Sequence, residues 1–432
     1  MTKNHVYIID GARTPFLKAK EKPGYFSASD LAVIAGRELL ARQPFAASEI
    51  SEVILGCVMP SADEANIARV VSLRLGCGKA VPAFTVQRNC ASGMQALDSA
   101  FEDISSGRAH LVLAGGTEAM SRAPLLFNQS MVNWLSGLWA AKNVKTKVKQ
   151  VLKFRPYYLA PVVALLKGLS DPLVNMSMGQ TAENLAYRFK VLRQQMDQFA
   201  LESHVRAMKA REEHLLANVV PAYSGMGDCY EFDDGVRSDT TLPKLTSLRP
   251  IFDKTFGMVT AGNSSQVTDG AALLLLASEE AVKKYKLPVL ARIVATEWAG
   301  VDPEEMGLGP VYSTTALLKS QNLRREDIDY WEINEAFAAQ VLACLFAWQD
   351  ADYCKKYLGL DQAFGAIDWQ RLNVDGGAIA LGHPVGATGA RIILQLAYIL
   401  KRNHAKRGVA TLCIGGGQGG SMLIENVSNV GG

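Results

Sequence analysis

The sequence predicts an α/β protein with two similar halves around a parallel or mixed sheet, interrupted by a helical and loop insertion. Strand-like and helix-like segments alternate over residues 1–120, and the same alternation returns from about residue 289. Residues 121–260 follow neither pattern. Strands that alternate with helices are typical of a sheet whose faces are covered by helices.

The elements of the first half are predicted from apolar periodicity. Strands are expected at HVYIIDGART, SEVILGCVM and AHLVLAGGTEAM, and helices at ASDLAVIAGRELLARQ, EANIARVVSLRLG and SGMQALDSAFEDISSG. The strands are short apolar runs, whereas apolar residues in the helices recur every three to four positions.

The second half repeats this order. Strands are expected at VLARIVATEWAG and at the start of DIDYWEINEAFAAQVLACLFAW, helices at YSTTALLKSQNL and GHPVGATGARIILQLAYILKRN, and a hairpin at GVATLCIGGGQGGSMLIEN. The likeness of EISEVILGCVMPS to DIDYWEINEAFAA suggests an internal duplication. We therefore predict a first half of residues 1–120 with 261–288, an insertion of residues 121–260, and a second half of residues 289–432.

The composition is that of a soluble globular protein. Of the 432 residues, 49% are hydrophobic and 20% are charged. No basic segment leads into a long apolar run at the N-terminus, and no apolar run approaches 18 residues, so neither a secretory signal nor a membrane span is expected. The seven cysteines match no metal-binding spacing, which favours reduced thiols in a cytoplasmic protein and no metal site.

Positive charge is concentrated in residues 121–170. This segment contains eight Lys or Arg and no Asp or Glu, so the net charge of +3 leaves −5 (3 − 8) for the rest of the chain. Nucleic-acid binding is not favoured, because the basic residues are confined to one amphipathic insertion.

Cys90 and His383 are candidates for nucleophilic chemistry. Cys90 precedes a predicted helix whose N-terminus would favour the thiolate, and the small residues after it leave room for a substrate. His383 lies between glycines in LGHPVGATG, at a predicted strand-to-helix turn, and a neutral histidine is the usual base for a thiol. The alternatives are a buried structural cysteine and a histidine bonded to loop carbonyls.

Cys413 and Asn334 complete the candidate set. Cys413 ends an apolar strand and precedes a glycine run whose backbone N–H groups could form an oxyanion hole. The run also fits G-x-G-x-x-G, but an extended segment follows it instead of a helix, which speaks against a dinucleotide site. Asn334 follows another apolar strand and either caps a helix or holds a water that donates to an oxyanion.

These motifs resemble the thiolase family over nearly the whole chain. The resemblance rests on NCASG around Cys90, NEAF around Asn334, GHP around His383, CIGGG around Cys413, and GMVTAGNSSQVTDGAA at the return from the insertion. It implies the thiolase fold, with a layered α-β-α-β-α core, and an acyltransferase with no tightly bound cofactor.

The resemblance implies a role for each candidate. His383 would deprotonate Cys90, which attacks the 3-oxo carbon of a 3-oxoacyl-CoA, and Cys413 would protonate the acetyl-CoA enolate. The enolate oxygen would bond His383 and a water on Asn334. The tetrahedral states would use the N–H groups of Cys90 and Gly415, and coenzyme A would release the shortened acyl-CoA.

Coenzyme A is the implied co-substrate. By resemblance, Ser265 matches a serine near the pantetheine, Arg237 a loop arginine near the nucleotide, and Met178 a pocket-lining position. The resemblance also implies a homodimer or tetramer.

The basic insertion contains a helical apolar stripe formed by Met131, Trp134, Leu135 and Leu138 and flanked by lysines. Such a helix either lies on an anionic membrane surface or packs on its own core. The stretches KFRPYYLAP and MGQTAENLA are similar to the β-subunits of trifunctional complexes, which cleave longer 3-oxoacyl-CoAs at membranes with a hydratase/dehydrogenase α-subunit. Asn334 departs from the mammalian members, which tend to have His there.

The sequence therefore predicts a cytoplasmic 3-ketoacyl-CoA thiolase of fatty-acid β-oxidation, peripheral at the inner face of the membrane. The alternative is an acetoacetyl-CoA thiolase that works in the biosynthetic direction. Such enzymes often have His before the Met-Gly pair, where this chain has Ser177. A more distant alternative is a non-catalytic, membrane-associated scaffold.

Overall fold

The computed structural model describes residues 4–20, 22–216 and 218–427, so the outermost residues of both predicted halves lie outside these ranges. The N-terminal part contains β1 (Val6–Arg13), β2 (Leu17–Lys18), α1 (Ala28–Ala41), β3 (Glu52–Gly56), α2 (Ile67–Arg74), β4 (Ala83–Val86), α3 (Ser92–Ser105) and β5 (Leu111–Ala119).

The middle of the chain consists of short strands and helices. They are β6 (Leu125–Phe127), α4 (Gln129–Ala140), α5 (Val144–Val151), β7 (Pro161–Val163), α6 (Ala164–Gly168), β8 (Ser170–Asp171), β9 (Met176–Ser177), α7 (Met178–Arg188), α8 (Arg193–Glu212), β10 (Ala222–Tyr223), β11 (Cys229–Tyr230) and α9 (Leu242–Thr246).

The remaining elements return to the core. They are β12 (Thr268–Ser278), α10 (Glu279–Tyr285), β13 (Ala291–Gly300), α11 (Gly309–Ser320), β14 (Tyr330–Ile333), α12 (Ala338–Gln349), α13 (Ala351–Tyr353), α14 (Ala378–Leu381), α15 (Thr388–Arg402), β15 (Arg407–Ile414) and β16 (Gln418–Glu425).

One mixed sheet runs through the described part of the chain. Its strand order is β14-β15-β16-β13-β1-β12-β5-β3-β4, and β2 pairs with β12. β3 is parallel to β4 and β5, and β14 is parallel to β15, whereas the other neighbours are antiparallel. The two halves of the sheet meet where Val6–Ile8 of β1 pairs with Ala291–Ile293 of β13.

The strand order repeats on either side of this meeting point. β1, β12, β5 and β3 have the same order and relative directions as β13, β16, β15 and β14. β3 and β14 therefore occupy equivalent positions, and they are the strands of the two segments that resemble each other in sequence. The division of the chain at residues 120, 260 and 288 stays a prediction.

The core is built in layers, as predicted. Leu274 and Leu276 of β12 join a central cluster with α3 and α15, whereas Leu273 and Leu275 face the cluster that contains α1. β15 alternates in the same way, since Leu412 joins the central cluster and its neighbour Cys413 joins a third cluster with α11 and α12. Helices therefore lie outside each half of the sheet and between the halves, which confirms the α/β fold.

The basic segment forms a helical hairpin of α4 and α5. Trp134 Nε1 donates to the Gln150 carbonyl at 2.9 Å, and Gln150 Nε2 donates to the Trp134 carbonyl at 3.1 Å. Of the predicted stripe only Met131 is buried, and Trp139 beside it is 96% exposed. Among the described helices, none combines the length and the apolar character needed to cross a membrane.

Candidate active site

A cavity of about 800 Å³ lies where the middle segment meets both halves of the core. Its wall includes six of the eight predicted site residues, namely Cys90, His383, Cys413, Ser265, Arg237 and Met178. Asn334 and Gly415 are not on the wall itself and are described below. The structure thus brings residues that are up to 323 positions apart to one enclosed space.

Cys90 lies in the turn between β4 and α3, two residues before the helix begins. The Gly415 N–H donates to its thiol, which favours the thiolate, but burial has the larger effect and raises the thiol pKa. Backbone N–H groups therefore favour the thiolate at this position, as expected, but burial outweighs them. Cys90 needs a base to remove its proton.

His383, which lines the same cavity, is the candidate for that base. It lies between α14 and α15, so the predicted strand-to-helix turn is wrong and a helix-to-helix turn takes its place. Its Nδ1 is 2.7 Å from Thr388 Oγ1, and the Thr388 hydroxyl donates to the Pro384 carbonyl at 3.0 Å. This pattern assigns the ring proton to Nδ1 and leaves the lone pair on Nε2, which has no partner among the described residues.

The charge state of His383 fits the same role. The side chain is 7% exposed. Burial lowers the pKa of His383 to about 3, and the nearby Arg391 cation acts in the same direction. The imidazole is therefore neutral near pH 7 and can accept a proton.

Cys413 has the properties of a proton donor. It is the penultimate residue of β15 and is 1% exposed. Burial, followed by the influence of Cys90, raises the pKa of the Cys413 thiol well above its ordinary value. A thiol in this environment stays protonated until a strongly basic carbon centre takes its proton.

Asn334 directly follows β14 and is 1% exposed. Its backbone N–H donates to the Thr411 carbonyl at 2.9 Å, whereas both side-chain amide atoms are buried without a partner in the described part of the chain. α12 begins at Ala338, with Phe337 before it, so the alternative in which Asn334 caps this helix is wrong.

Gly415 lies in the turn that joins β15 to β16. Its carbonyl accepts a hydrogen bond from Asn89 Nδ2 at 2.7 Å, so the turn is tied to the backbone next to Cys90. The glycine run opens a hairpin and not a helix, which agrees with the rejection of a dinucleotide motif.

The comparisons with known proteins agree with this geometry. Residues 6–280 match the family model "Thiolase, N-terminal domain", and residues 287–426 match "Thiolase, C-terminal domain". The chain belongs to the thiolase family. It is therefore an acyltransferase, which speaks against the non-catalytic scaffold.

Similar proteins carry different names within this family. The thiolase is 38% identical to a mitochondrial 3-ketoacyl-CoA thiolase of Rattus norvegicus, with 98% of each chain covered. It is 34% identical to the mitochondrial trifunctional enzyme subunit beta of Bos taurus, with 98% of this chain and 88% of that protein covered. The crystal structure of the Bacillus anthracis acetyl-CoA acetyltransferase superposes with a TM-score of 0.83 at 36% identity, covering 99% and 100% of the two chains.

The wall of the cavity combines apolar and charged side chains. Leu166, Leu169, Leu248 and Phe252 are apolar. The cations are Lys18, Arg237 and Lys244, and Lys244 pairs with Asp239, also on the wall, at 2.7 Å. Among the described residues, no group of three His, Cys, Asp or Glu side chains is arranged to hold a metal ion.

Several residues around the site were not anticipated from the sequence. Lys18 and Lys244 on the wall belong to no motif that we recognised, and Thr388 lies within LGHPVGATG but was given no role. His204 also lines the cavity, accepts the Arg237 N–H on Nδ1 at 3.2 Å, and has its pKa lowered to about 4 by burial. The only signal for Thr388 was its place five residues after the histidine.

Proposed function

We propose that this thiolase is a 3-ketoacyl-CoA thiolase, an acetyl-CoA C-acyltransferase that acts in fatty-acid β-oxidation. The supporting observation is that two thiols and a neutral imidazole share the wall of one cavity, with a free lone pair on the imidazole. A protonated thiol, a base and a second protonated thiol are the groups that a thiolytic C–C cleavage requires.

In this proposal, His383 Nε2 takes the Cys90 proton and the sulfur attacks the 3-oxo carbon. The C2–C3 bond breaks, the acyl group stays on Cys90, and C2 of the leaving acetyl-CoA enolate takes the Cys413 proton. Coenzyme A then loses its thiol proton to the Cys413 thiolate and attacks the acyl thioester, which releases the shortened acyl-CoA. The Cys90 sulfur leaves as a thiolate and recovers its proton from His383. A water held by the unpaired side-chain amide of Asn334 and the Gly415 N–H are the candidate donors to the oxyanions.

Variants of the two cysteines distinguish the acyl-transfer step from the C–C cleavage step. With acetyl-CoA, Cys413→Ala should still gain an acetyl group on Cys90, because acylation by a simple thioester needs no proton on carbon. The same variant should lose thiolysis of 3-oxoacyl-CoA, and Cys90→Ala should lose both. Intact-protein mass and a thiolysis assay measure the two steps.

Cys229→Ala is the matched control, since Cys229 is exposed and absent from the cavity wall. Full thiolysis by Cys90→Ala, or acetylation at a different cysteine, would refute the assignment.

The second candidate is an acetyl-CoA C-acetyltransferase that works in the biosynthetic direction. It is supported by the similarity to the Bacillus anthracis acetyltransferase. The apolar wall around Leu166, Leu169 and Phe252 favours longer acyl chains. Thiolysis rates over 3-oxoacyl-CoAs of 4 to about 16 carbons separate the two, because only the degradative enzyme should keep its kcat/KM as the chain lengthens.

The cationic wall is the proposed contact for coenzyme A. Arg237, Lys18 and Lys244 supply positive charge for its phosphates, and Ser265 and Met178 line the same cavity. No tightly bound cofactor is needed for this chemistry.

The α4–α5 hairpin is the proposed contact with an anionic membrane surface. Trp139, Val144 and Leu152 are 96%, 76% and 74% exposed, and lysines separate these apolar side chains. Lysines near an anionic surface contribute about 1 kcal/mol each. We expect co-sedimentation with vesicles of anionic phospholipid at low salt, weakening as salt rises.

Lys145→Glu with Lys149→Glu should remove this binding, whereas the control pair Lys355→Glu with Lys356→Glu should not. If the wild-type protein stays in the supernatant at low salt, both the membrane contact and the peripheral location are refuted.

A homodimer or tetramer is proposed with β4 as a contact. β4 is the outermost strand of the sheet, and its Phe84 is 38% exposed. The similarity to a trifunctional-enzyme β-subunit supports a hydratase/dehydrogenase α-subunit as a second partner. The molar mass from light scattering tests both proposals. The mass of the protein alone gives its oligomeric state, and the mass of its mixture with such a subunit shows whether the two associate.

A further inference from the structure

Glu118, the second-last residue of β5, carries a buried carboxyl group that the reaction above does not use. It is 0% exposed. Its Oε2 accepts the Val58 N–H at 2.8 Å, its Oε1 accepts the Met59 N–H at 3.1 Å, and the Cys57 thiol donates to Oε1 at 3.6 Å. The Gly386 N–H is a further donor.

None of the partners that the described residues give to Glu118 is a cation. A buried carboxylate without a cation is costly, and it persists where several N–H donors hold it. Burial raises the pKa of Glu118 to about 7, and these N–H groups oppose that rise. The titratable groups that face it are the thiols of Cys57 and Cys90.

The donors of Glu118 belong to two different loops. Val58 and Met59 follow β3, and Gly386 belongs to the histidine loop, which we define as residues 382–387. The histidine loop passes so close to β5 that a Cβ added to Gly116 would lie 1.9 Å from the Gly386 carbonyl oxygen.

The histidine loop also touches the start of α3. A Cβ added to Gly93, three residues after Cys90, would lie 2.8 Å from the same Gly386 oxygen. The loop with His383 is therefore held between β5 and the helix start next to Cys90. Glu118 lies at this junction, because it bonds the Gly386 N–H and its charge acts on the Cys90 thiol.

We propose that Glu118 is a positioning residue whose carboxylate holds the histidine loop in register with the Cys90 turn. It acts through the Gly386 N–H on one side and the N–H groups of Val58 and Met59 on the other. Without this clamp, His383 Nε2 would sample positions from which it does not reach the Cys90 proton. The inference rests on the proposed thiolysis, in which that proton transfer starts the reaction.

Glu118→Gln and Glu118→Asp test the clamp. The amide keeps one acceptor oxygen and loses the charge, so kcat for thiolysis should fall at least tenfold with KM for coenzyme A changed less than twofold. Iodoacetamide labelling of Cys90 against pH should show a lower midpoint in Glu118→Gln, because a neighbouring negative charge is gone. A purely structural role would leave that midpoint in place.

The shorter Glu118→Asp keeps the charge but withdraws it from the loop. Its kcat should fall while the labelling midpoint stays near the wild-type value. If Glu118→Gln shows no cooperative unfolding and is therefore not folded, the kcat of Glu118→Asp alone tests the clamp. The matched control is Glu183→Gln, because Glu183 likewise accepts backbone N–H groups, those of Met258 and Val259.

Folded Glu118 variants with wild-type kcat and an unchanged labelling profile would overturn the clamp. A wild-type protein without thiolysis, but with the labelling shift in Glu118→Gln, would instead refute the proposed reaction and keep the link between Glu118 and Cys90. The two failures are therefore distinguishable.

Discussion

Both backbone polar groups of Gly415 form hydrogen bonds with the turn that contains Cys90. Its carbonyl accepts from Asn89 Nδ2, and its N–H donates to the Cys90 thiol. A residue with a side chain is tolerable in principle, since an added Cβ would meet the flexible Met178 sulfur at 3.2 Å and Asn89 Nδ2 at an ordinary 3.9 Å. The requirement at this position is the N–H itself.

Removal of that N–H should cost most of the activity. We expect kcat for thiolysis to fall by about 10²–10³-fold in Gly415→Pro, the usual effect of losing one oxyanion-hole donor. Gly415→Ala keeps the N–H and should retain kcat within about tenfold. Steady-state thiolysis by the two folded variants gives the comparison, and equal losses in both would show that the N–H is not used.

At the level of elements, the active site depends on how closely two of them approach. Gly116 in β5 and Gly386 in the histidine loop touch through backbone atoms, as the 1.9 Å from an added Cβ to the Gly386 oxygen shows. Backbone cannot yield as a flexible side chain does, so a larger residue must push the loop away. The lack of a side chain at Gly116 therefore allows the histidine loop to lie this close to β5.

Gly116→Ala should therefore damage stability and activity together. Overpacking of this kind costs about 1–3 kcal/mol, and the displaced histidine loop should lower kcat. Gly300→Ala at the end of β13 is the control, because an added Cβ there meets nothing within 4 Å. Thermal unfolding and thiolysis of both variants are the measurements; a Gly116→Ala protein as stable and active as Gly300→Ala would contradict the packing argument.

At the scale of the whole molecule, burial of ionisable groups links stability to pH in opposite directions. Burial lowers the pKa of His204 and His383 to about 4 and about 3, so the folded protein resists their protonation and loses stability as pH falls below about 6.5. Burial raises the pKa of Glu118 and Glu332 to about 7 and about 8, so these two weaken the fold as pH rises. The effects partly cancel in the intact protein.

A single variant isolates one of these contributions. Relative to wild type, His204→Gln should gain up to about 1.4 kcal/mol of stability for each pH unit of acidification between about 6.5 and 4, because the unfolded wild-type chain binds a proton that the folded chain does not. Thermal midpoints at pH 7.5 and 5.0 test this, with His214→Gln as an exposed control. A constant difference between variant and wild type would show that His204 is not held neutral.

The candidate catalytic residues could be named from the sequence because each stands in a short motif. Cys90, His383 and Cys413 could be named from their glycine-rich or small-residue surroundings, and the structure places all three on one wall. Thr388 and Glu118 could not be named, because a hydroxyl or a carboxylate has no local pattern that shows what it will bond. The net rise in the pKa of the Cys90 thiol could not be predicted from the local sequence, because burial depends on the whole fold.

The sequence alone determined the order of most strands and helices and the candidate reacting groups, since periodicity and motif are local properties of the chain. The layered fold followed from the resemblance that those motifs carry. The tertiary structure decided which groups meet, which of them are neutral, and which nitrogen of His383 carries the lone pair. These properties arise from desolvation and from contacts between segments hundreds of residues apart, so no local stretch of the chain contains them.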